Sequence, residues 1–357
     1  MANITLWRVD AQRTGHFKQS QGGVPKRLLW KRFVERDLKS SPLVANNRLI
    51  LPSQAGDVYY LIPLANPTIQ RWTPVGYRSS RTGQNRWNPT LIGNWLFGLY
   101  HDTATSYTYL RAYEIGSRQL LWQAKLFDAA AFGSPLIVAG RIIVPSFNEI
   151  ACYYTPNGSK LWHSYIEPTF ASPPAASRDL AIVYAFNKGV YAFHLSSGRL
   201  QWHQSVEKGL ACPCVGSDRV FVVSHGSNRG GYVYALHLQD GKVLWRQFID
   251  TGDASPAFDG KFLYVAGLGG NLTCLSAATG AVCWSIRLKA GTSCSPSIAG
   301  NTIYLGDREG WLYAIDKRTG RQLWRYQTQG GVVGSPWILR DKVLFTSKDG
   351  YIYTFSI

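Results

Sequence analysis

The chain has 357 residues, 45% of them hydrophobic, with 35 Gly, 13 Trp and a formal net charge of +17 from 38 Lys/Arg and 21 Asp/Glu. That apolar content excludes a disordered chain, and no apolar run approaches the roughly 18 residues of a membrane-spanning helix. The charge is uneven, with 14 Lys/Arg and 4 Asp/Glu in residues 1–90, and a surface this basic attracts nucleic acid, anionic lipid or an acidic protein.

In chain order, residues 1–26 read as a polar, turn-rich lead-in containing Trp7, Asp10 and Thr14-Gly15. The start, Met-Ala-Asn-Ile-Thr-Leu-Trp, lacks a charged segment followed by a long apolar core. The expectation is a cytoplasmic, monomeric chain as written, or a periplasmic one if an export signal has been removed. Residues 27–357 are expected to form one repeating domain. It opens with Arg27–Phe33, a strand with no partner before it.

Eight tryptophans then set the rhythm: Trp30, Trp72, Trp122, Trp162, Trp202, Trp245, Trp284 and Trp324, separated by 42, 50, 40, 40, 43, 39 and 40 residues. A sustained period near 40 with four strand-like runs per copy indicates a β-propeller. The sharpest copy is Gly310–Trp324, a strand, an Asp-Lys-Arg-Thr-Gly turn and a second strand. A glycine stands four residues before Trp162, Trp202, Trp245, Trp284 and Trp324. A proline, usually preceded by Ser, follows most of the tryptophans at 11 to 13 residues. Tryptophans in one repeated slot read as blade-docking anchors rather than a ligand-stacking set.

One unit is irregular. Trp72 to Pro89 is 17 residues, and residues 76–87 carry three arginines and no acid. Residues 100–107 and 225–231 lengthen two further turns. In an up-down-up-down blade the connections from strand B to C and from D to the next A leave on the same face. Functional residues concentrate on such loops. The expected partner-binding surface is therefore Arg78, Arg81, Arg86, Trp87, His101, Asp102 and Arg229. An acidic protein is preferred as partner over nucleic acid, because no base-stacking motif is present.

At the C-terminus, Trp337–Leu339, Val343–Ser347 and Tyr351–Ser356 read as three strands, and the chain ends before a fourth. Arg27–Phe33 supplies it. The expected fold is an all-β, eight-bladed propeller of four-stranded antiparallel blades, the last closed by the N-terminal strand. Seven blades is the alternative if the unit between Trp72 and Trp122 is incomplete.

Candidate chemistry is sparse. Cys152 and Cys274 share a slot, ten residues before a blade tryptophan, with Ala112, Ala192, Ala235 and Ala314, which marks a small buried position. Cys274 and Cys283 face each other across one hairpin, so a bridge there stays open. The seven histidines form no metal-ligand spacing, and His101-Asp102 is accompanied by no serine elbow. No Asp/Glu/Asn cluster stands out for a hard cation; the nearest to one is Asp250, Asp253, Asp307 and Glu309 at blade ends.

The signature Gly-x-Leu-Tyr-Ala-Leu-Asp-x-x-Thr-Gly-x-x-x-Trp is matched best at 310–324 and well at 231–245 and 270–284. With the Trp7, Asp10, Thr14-Gly15 lead-in, it resembles the pyrroloquinoline-quinone-like (PQQ-like) propeller repeat family over almost the whole chain. The resemblance implies the propeller fold for a family that holds both enzymes and scaffolds. Its quinone dehydrogenases hold the quinone and a calcium ion in the funnel, often beside a disulfide between adjacent cysteines. This chain has neither an adjacent Cys pair nor a Cys-x-x-Cys-His haem motif. The reading is therefore a non-enzymatic scaffold within a larger assembly, with no cofactor or metal expected. A quinone- or small-ligand-binding enzyme and a subunit that binds nucleic acid or another anionic polymer are the alternatives.

Overall fold

The computed structural model describes residues 4–5, 10, 14–53, 59–65, 67–72, 89–102, 107–126, 133–177, 179–225 and 230–357. Among these residues all regular elements are β-strands, arranged in eight antiparallel sheets. Each sheet is a blade whose strands, lettered A to D, run outward from a central channel. The A strands of neighbouring blades touch one another around that channel. Blades 1 to 7 lie at 43–72, 90–125, 136–165, 175–204, 214–250, 257–287 and 297–327.

Blade 7 shows why the repeat folds this way. Thr302–Gly306 (strand B) is buried throughout, and Trp311–Asp316 (strand C) is buried except at its ends. Gln322–Gln327 (strand D) is the outer strand and alternates between part-buried and exposed residues. At the C–D turn the Asp316 carboxylate accepts bonds from the backbone N–H of Arg318 (3.0 Å) and Thr319 (2.9 Å) and from the Thr319 hydroxyl (2.9 Å). Gly320 follows with φ of 74°. The repeated Asp-x-x-Thr-Gly is thus a self-capped turn that ends in a left-handed residue.

The turn also locks blade to blade. Gly158, Gly198, Gly241, Gly280 and Gly320 all have φ between 72 and 76°. A Cβ on any of them would sit 2.4–2.8 Å from the ring of the preceding blade's tryptophan, Trp122, Trp162, Trp202, Trp245 and Trp284 in turn. The same five indoles donate their N–H to the backbone carbonyls of Thr155, Leu195, Leu238, Ala277 and Lys317 in that next blade's turn, at 2.9–3.2 Å. Each tryptophan lies opposite the small buried slot of its own blade: Ala112, Cys152, Ala192, Ala235, Cys274 or Ala314 for the six from Trp122 to Trp324.

An inner ring mirrors this outer one. At three junctions the residue preceding the strand A proline donates its backbone N–H to the hydroxyl in the same slot of the next blade. Cys212 bonds Ser255 (2.9 Å), Ser255 bonds Ser295 (2.9 Å), and Ser335 bonds Ser41 (2.8 Å) across the chain ends. This is the role of the recurrent Ser-Pro, a period visible in the sequence without its purpose.

Blade 8 is composite. Leu28–Phe33 pairs antiparallel with Tyr351–Ser356, outside Lys342–Thr346 and Trp337–Ile338. The N-terminal strand thereby supplies the missing strand D and removes an exposed edge. The irregular unit before Trp122 is a full blade. It gains a fifth strand, Ile4–Thr5, against Thr90–Ile92 of its strand A, so the count is eight.

Candidate functional site: the two faces of the ring

The A–B and C–D turns form one face of the ring, and the B–C turns and D–A connections form the other. The lead-in occupies the first face. The Thr14 carbonyl accepts from Phe258 N–H (2.9 Å) on blade 6, and the Gly15 carbonyl accepts from Ile298 N–H (2.8 Å) on blade 7. Phe17 N–H donates back to the Ile298 carbonyl (2.7 Å), and its ring meets Trp337 of blade 8 edge-on at 5.2 Å. With Ile4–Thr5 on blade 2, the segment reaches the inner strands of blades 2, 6, 7 and 8.

Asp10 makes the lead-in's turn by accepting from Thr14 N–H (2.9 Å) and the Thr14 hydroxyl (2.5 Å), before Gly15 at φ of 65°. Asp10, Thr14 and Gly15 are therefore a closure device. His16 beside them is half-buried, its Nδ1 unpartnered, and its pKa is lowered by burial first and the Lys317 ammonium second. Further out, Tyr304 donates its hydroxyl to the Gly23 carbonyl (2.6 Å), and burial pushes that phenol up to about 12.

The opposite face is the one on which the sequence reading puts the partner surface. Arg78, Arg81, Arg86, Trp87 and Arg229 lie outside the described residues. His101 and Asp102 end strand B of blade 2 on that face, in register with Thr108 and Tyr107. The described ends of the long connections share this face without clustering: Trp72, Pro89, Asp102 and Tyr107 on blades 1 and 2, and His225 and Gly230 on blade 5. His225 sits 3.6 Å from Asp253 there.

Two of the blade-end acids, Asp307 and Asp250, are taken up by the chain itself. Asp307 is fully buried, and its carboxylate accepts from the N–H groups of Glu309 (3.0 Å), Trp311 (2.9 Å) and Ala290 (3.2 Å) and from the Tyr313 hydroxyl (2.7 Å). Burial, then that hydrogen bond, drives the Tyr313 pKa upward. Asp250 is held by the N–H groups of Gly269 (2.8 Å) and Asn271 (2.9 Å), and Asp349 by Tyr353 (2.6 Å) and Tyr351 N–H (3.0 Å). These are B–C turn organisers. Among the described residues no three His, Cys, Asp or Glu side chains lie together to hold a metal ion. These carboxylates therefore do not fit a quinone-bound cation.

The cysteines give no cluster either. All six are free thiols, Cys283 exposed and the others buried. Cys152 is pushed up to about 12 by burial. A cavity of about 500 Å³ opens between blades 4 and 5, lined by Ser205, Val206, Glu207, Tyr234, Val243 and Arg246. It lies at the outer strands, away from the channel. No helix of the described residues is long and apolar enough to cross a membrane.

No curated protein matches this sequence. A solved structure of BamB from Moraxella catarrhalis is 14% identical, with a TM-score of 0.66 over 93% of this chain and 99% of that one. A europium-containing methanol dehydrogenase is also 14% identical, with a TM-score of 0.78 over 99% of this chain and 98% of the other. The quinohemoprotein alcohol dehydrogenase from Comamonas testosteroni is 12% identical, with a TM-score of 0.73 over 98% of this chain and 79% of that chain. At such identities these likenesses show the shared fold. A family model, described as outer membrane protein assembly factor BamB, matches residues 106–254 and 229–357. That match spans well over half of the sequence, and the chain belongs to the PQQ-like β-propeller repeat family.

Proposed function

We propose that the chain is a non-enzymatic scaffold that docks protein partners on its B–C and D–A face, as a subunit of a larger assembly. The observation that carries this reading is the asymmetry of the two faces. The lead-in threads across one of them, bonded to the inner strands of blades 6 and 7. The described ends of the long connections, Trp72 and Pro89, Asp102 and Tyr107, His225 and Gly230, lie at the other. The description of the matched family model as an assembly factor supports a scaffold. A partner surface rich in Arg, with Trp87 beside it, has the composition of an interface hot spot.

The test is a triple substitution, Arg78, Arg81 and Arg86 to Glu, in a pull-down from native lysate. Loss of a specific partner, insensitive to nuclease, is expected; unchanged recovery of every partner removes this face as the working surface. A second reading, a quinone-dependent enzyme, is favoured by the fold likeness to the methanol dehydrogenase. Incubation with pyrroloquinoline quinone and calcium, followed by desalting, separates the two. A scaffold emerges without quinone absorbance, whereas stoichiometric quinone and calcium would establish the enzyme.

A further inference from the structure

The junction between blades 4 and 5 is packed differently from its counterparts. In blades 2, 3, 6 and 7 the residue four beyond the tryptophan donates its N–H to the carbonyl at the start of strand C. Leu126 bonds Thr108, Ile166 bonds Asn148, Leu288 bonds Gly270 and Thr328 bonds Gly310, at 2.7–2.9 Å. Val206 holds that place in blade 4, and among the described residues its N–H has no backbone partner. The connection leaves strand D early, at Gln204, and is tied to its own blade instead, where the Glu207 carbonyl accepts from the Tyr184 hydroxyl. Behind it lies the cleft of about 500 Å³, with Ser205, Val206 and Glu207 on one wall and Tyr234, Val243 and Arg246 on the other. Both walls belong to the described residues, and Ser205, Glu207, Val243 and Arg246 are exposed, so the cleft is open to solvent.

The walls keep unused hydrogen-bonding groups. Tyr234 is only 4% exposed. In blade 7 the tyrosine of the same slot, Tyr313, is satisfied twice: its hydroxyl donates to Asp307 (2.7 Å) and accepts from Lys289 N–H (3.1 Å) on the D–A connection. In blade 8 Tyr353 donates to Asp349 (2.6 Å). Blade 5 has neither device. Residues 224–230 contain no acid, and the Ser224 hydroxyl is taken by Tyr232 N–H (2.8 Å). Glu207, which stands where Lys289 does, is drawn toward Tyr184. Among the described residues the Tyr234 hydroxyl therefore has no partner, and it borders the cleft; a buried polar group is ordinarily paired. The Ser205 hydroxyl, the Glu207 carboxylate and the Arg246 guanidinium likewise find no hydrogen bond or ion pair among the described residues. Aromatic rings hold Arg246 in place. Its guanidinium lies 4.8 Å from the centre of the Tyr232 ring, which Phe248 braces edge-on at 5.3 Å.

We propose that this cleft binds a short apolar peptide with free termini, its carboxylate on the Arg246 fork and its ammonium toward Glu207. A cleft of this size, with an apolar lining and a few convergent polar groups, has the form of a small-ligand site. Val206, Val243 and the Tyr234 ring supply the apolar lining. A planar carboxylate suits the guanidinium, and Glu207 on the opposite wall disfavours an anion that brings no cation of its own. The hydroxyls of Tyr234 and Ser205 remain for the peptide bond. Such a site lies outside the scaffold reading and requires none of its arginines.

The test is titration calorimetry on the full chain with three probes: dileucine, the same dipeptide acetylated and amidated at its ends, and glucose. Dileucine is expected to bind with a Kd below about 1 mM, and the capped dipeptide at least tenfold more weakly. Arg246→Gln and Glu207→Gln are each expected to weaken dileucine about tenfold at an unchanged melting temperature, since both side chains are exposed. Ser205→Trp fills the cleft from its solvent side and should abolish binding in a chain that still melts cooperatively; binding retained there overturns the cleft as the site. No heat from dileucine at about 10 mM overturns the peptide ligand. Equal affinity for the capped dipeptide, or wild-type affinity in the Arg246→Gln/Glu207→Gln double variant, overturns the roles given to the two charges. Glucose binding that Ser205→Trp removes, without dileucine binding, overturns the peptide in favour of a saccharide. The partner recovered in the pull-down should be the same for Glu207→Gln as for wild type, so the scaffold reading stands or falls separately.

Discussion

Blades 3 to 7 and the seam formed by blades 8, 1 and 2 solve the same packing problem in different ways. In the regular arc a tryptophan ring is covered by the next blade's left-handed glycine, and its N–H is satisfied by that blade's turn carbonyl. At the seam the glycine is absent. Arg118 stands in the glycine slot of blade 2 at φ of 62°, donating to Gln70 of blade 1 at 3.2 Å, and Thr68 fills the slot of blade 1. Blade 8 has no continuous C–D turn, and Trp324 packs edge-on against Phe355 at 5.0 Å instead. The seam is held by the N-terminal strand, the Ser335–Ser41 link and the lead-in. Repetition thus stabilises the arc, while the chain ends hold the place where repetition lapses.

The sharpest way to break this comparison is to remove the seam's fastener. Deleting residues 1–34 takes away strand D of blade 8 and the lead-in together. Pairing along Tyr351–Ser356 is lost, an outer edge is exposed, and the tenth of the chain that bridges the ring is gone. Aggregation on purification, or loss of a cooperative thermal transition, is expected. A truncated chain that melts at the wild-type temperature would mean that the arc closes by itself.

The next contrast sets two equivalent slots against each other. In the arc, Gly198→Ala places a methyl 2.4 Å from Trp162 and forces an alanine to φ of 73°. Left-handed strain and overpacking together cost about 3 kcal/mol, a fall of about 4 °C in a domain of this size. At the seam, Arg118→Gly relieves strain instead and is expected to leave the melting temperature unchanged or raise it by the equivalent of about 1 kcal/mol. Equal losses at the two positions would show that the slot is not differentially packed.

Much of this architecture was legible in the sequence because it is written in residues with few alternatives. A 40-residue tryptophan period and a glycine four residues before it specify a blade and its left-handed turn, and an orphan strand Arg27–Phe33 specifies closure. The reciprocal fit of glycine on ring was not legible, because its two members belong to different blades. The Ser-Pro ring was visible as a pattern but not as a contact, for the same reason. The role of Asp307 and Asp250 was not legible either: a buried carboxylate beside a turn is taken up by backbone N–H groups, and one of those turns belongs to the next blade.

The smallest effect expected concerns pH and the lead-in at the seam. His16 is surrounded by Lys317, Asp259, Lys18 and Asp10, and burial outweighs the acids, so its folded pKa lies below the ordinary 6.5. The unfolded chain therefore takes up the proton first as pH falls through 6.5. Stability contributed by the neutral imidazole is present above that pH and is lost on acidification. His16→Gln keeps a polar side chain of similar size without a titrating group. Between pH 7.5 and pH 5 the melting temperature of wild type should fall more than that of the variant, with parallel curves above pH 7.5. The regular arc supplies the control, since the described part of blade 7 contains no histidine and its turn acid, Asp316, has a lowered pKa that acts only at more acidic pH. Superimposable slopes for the two proteins would show that the lead-in accommodates a charged His16, and that the closed face is indifferent to pH.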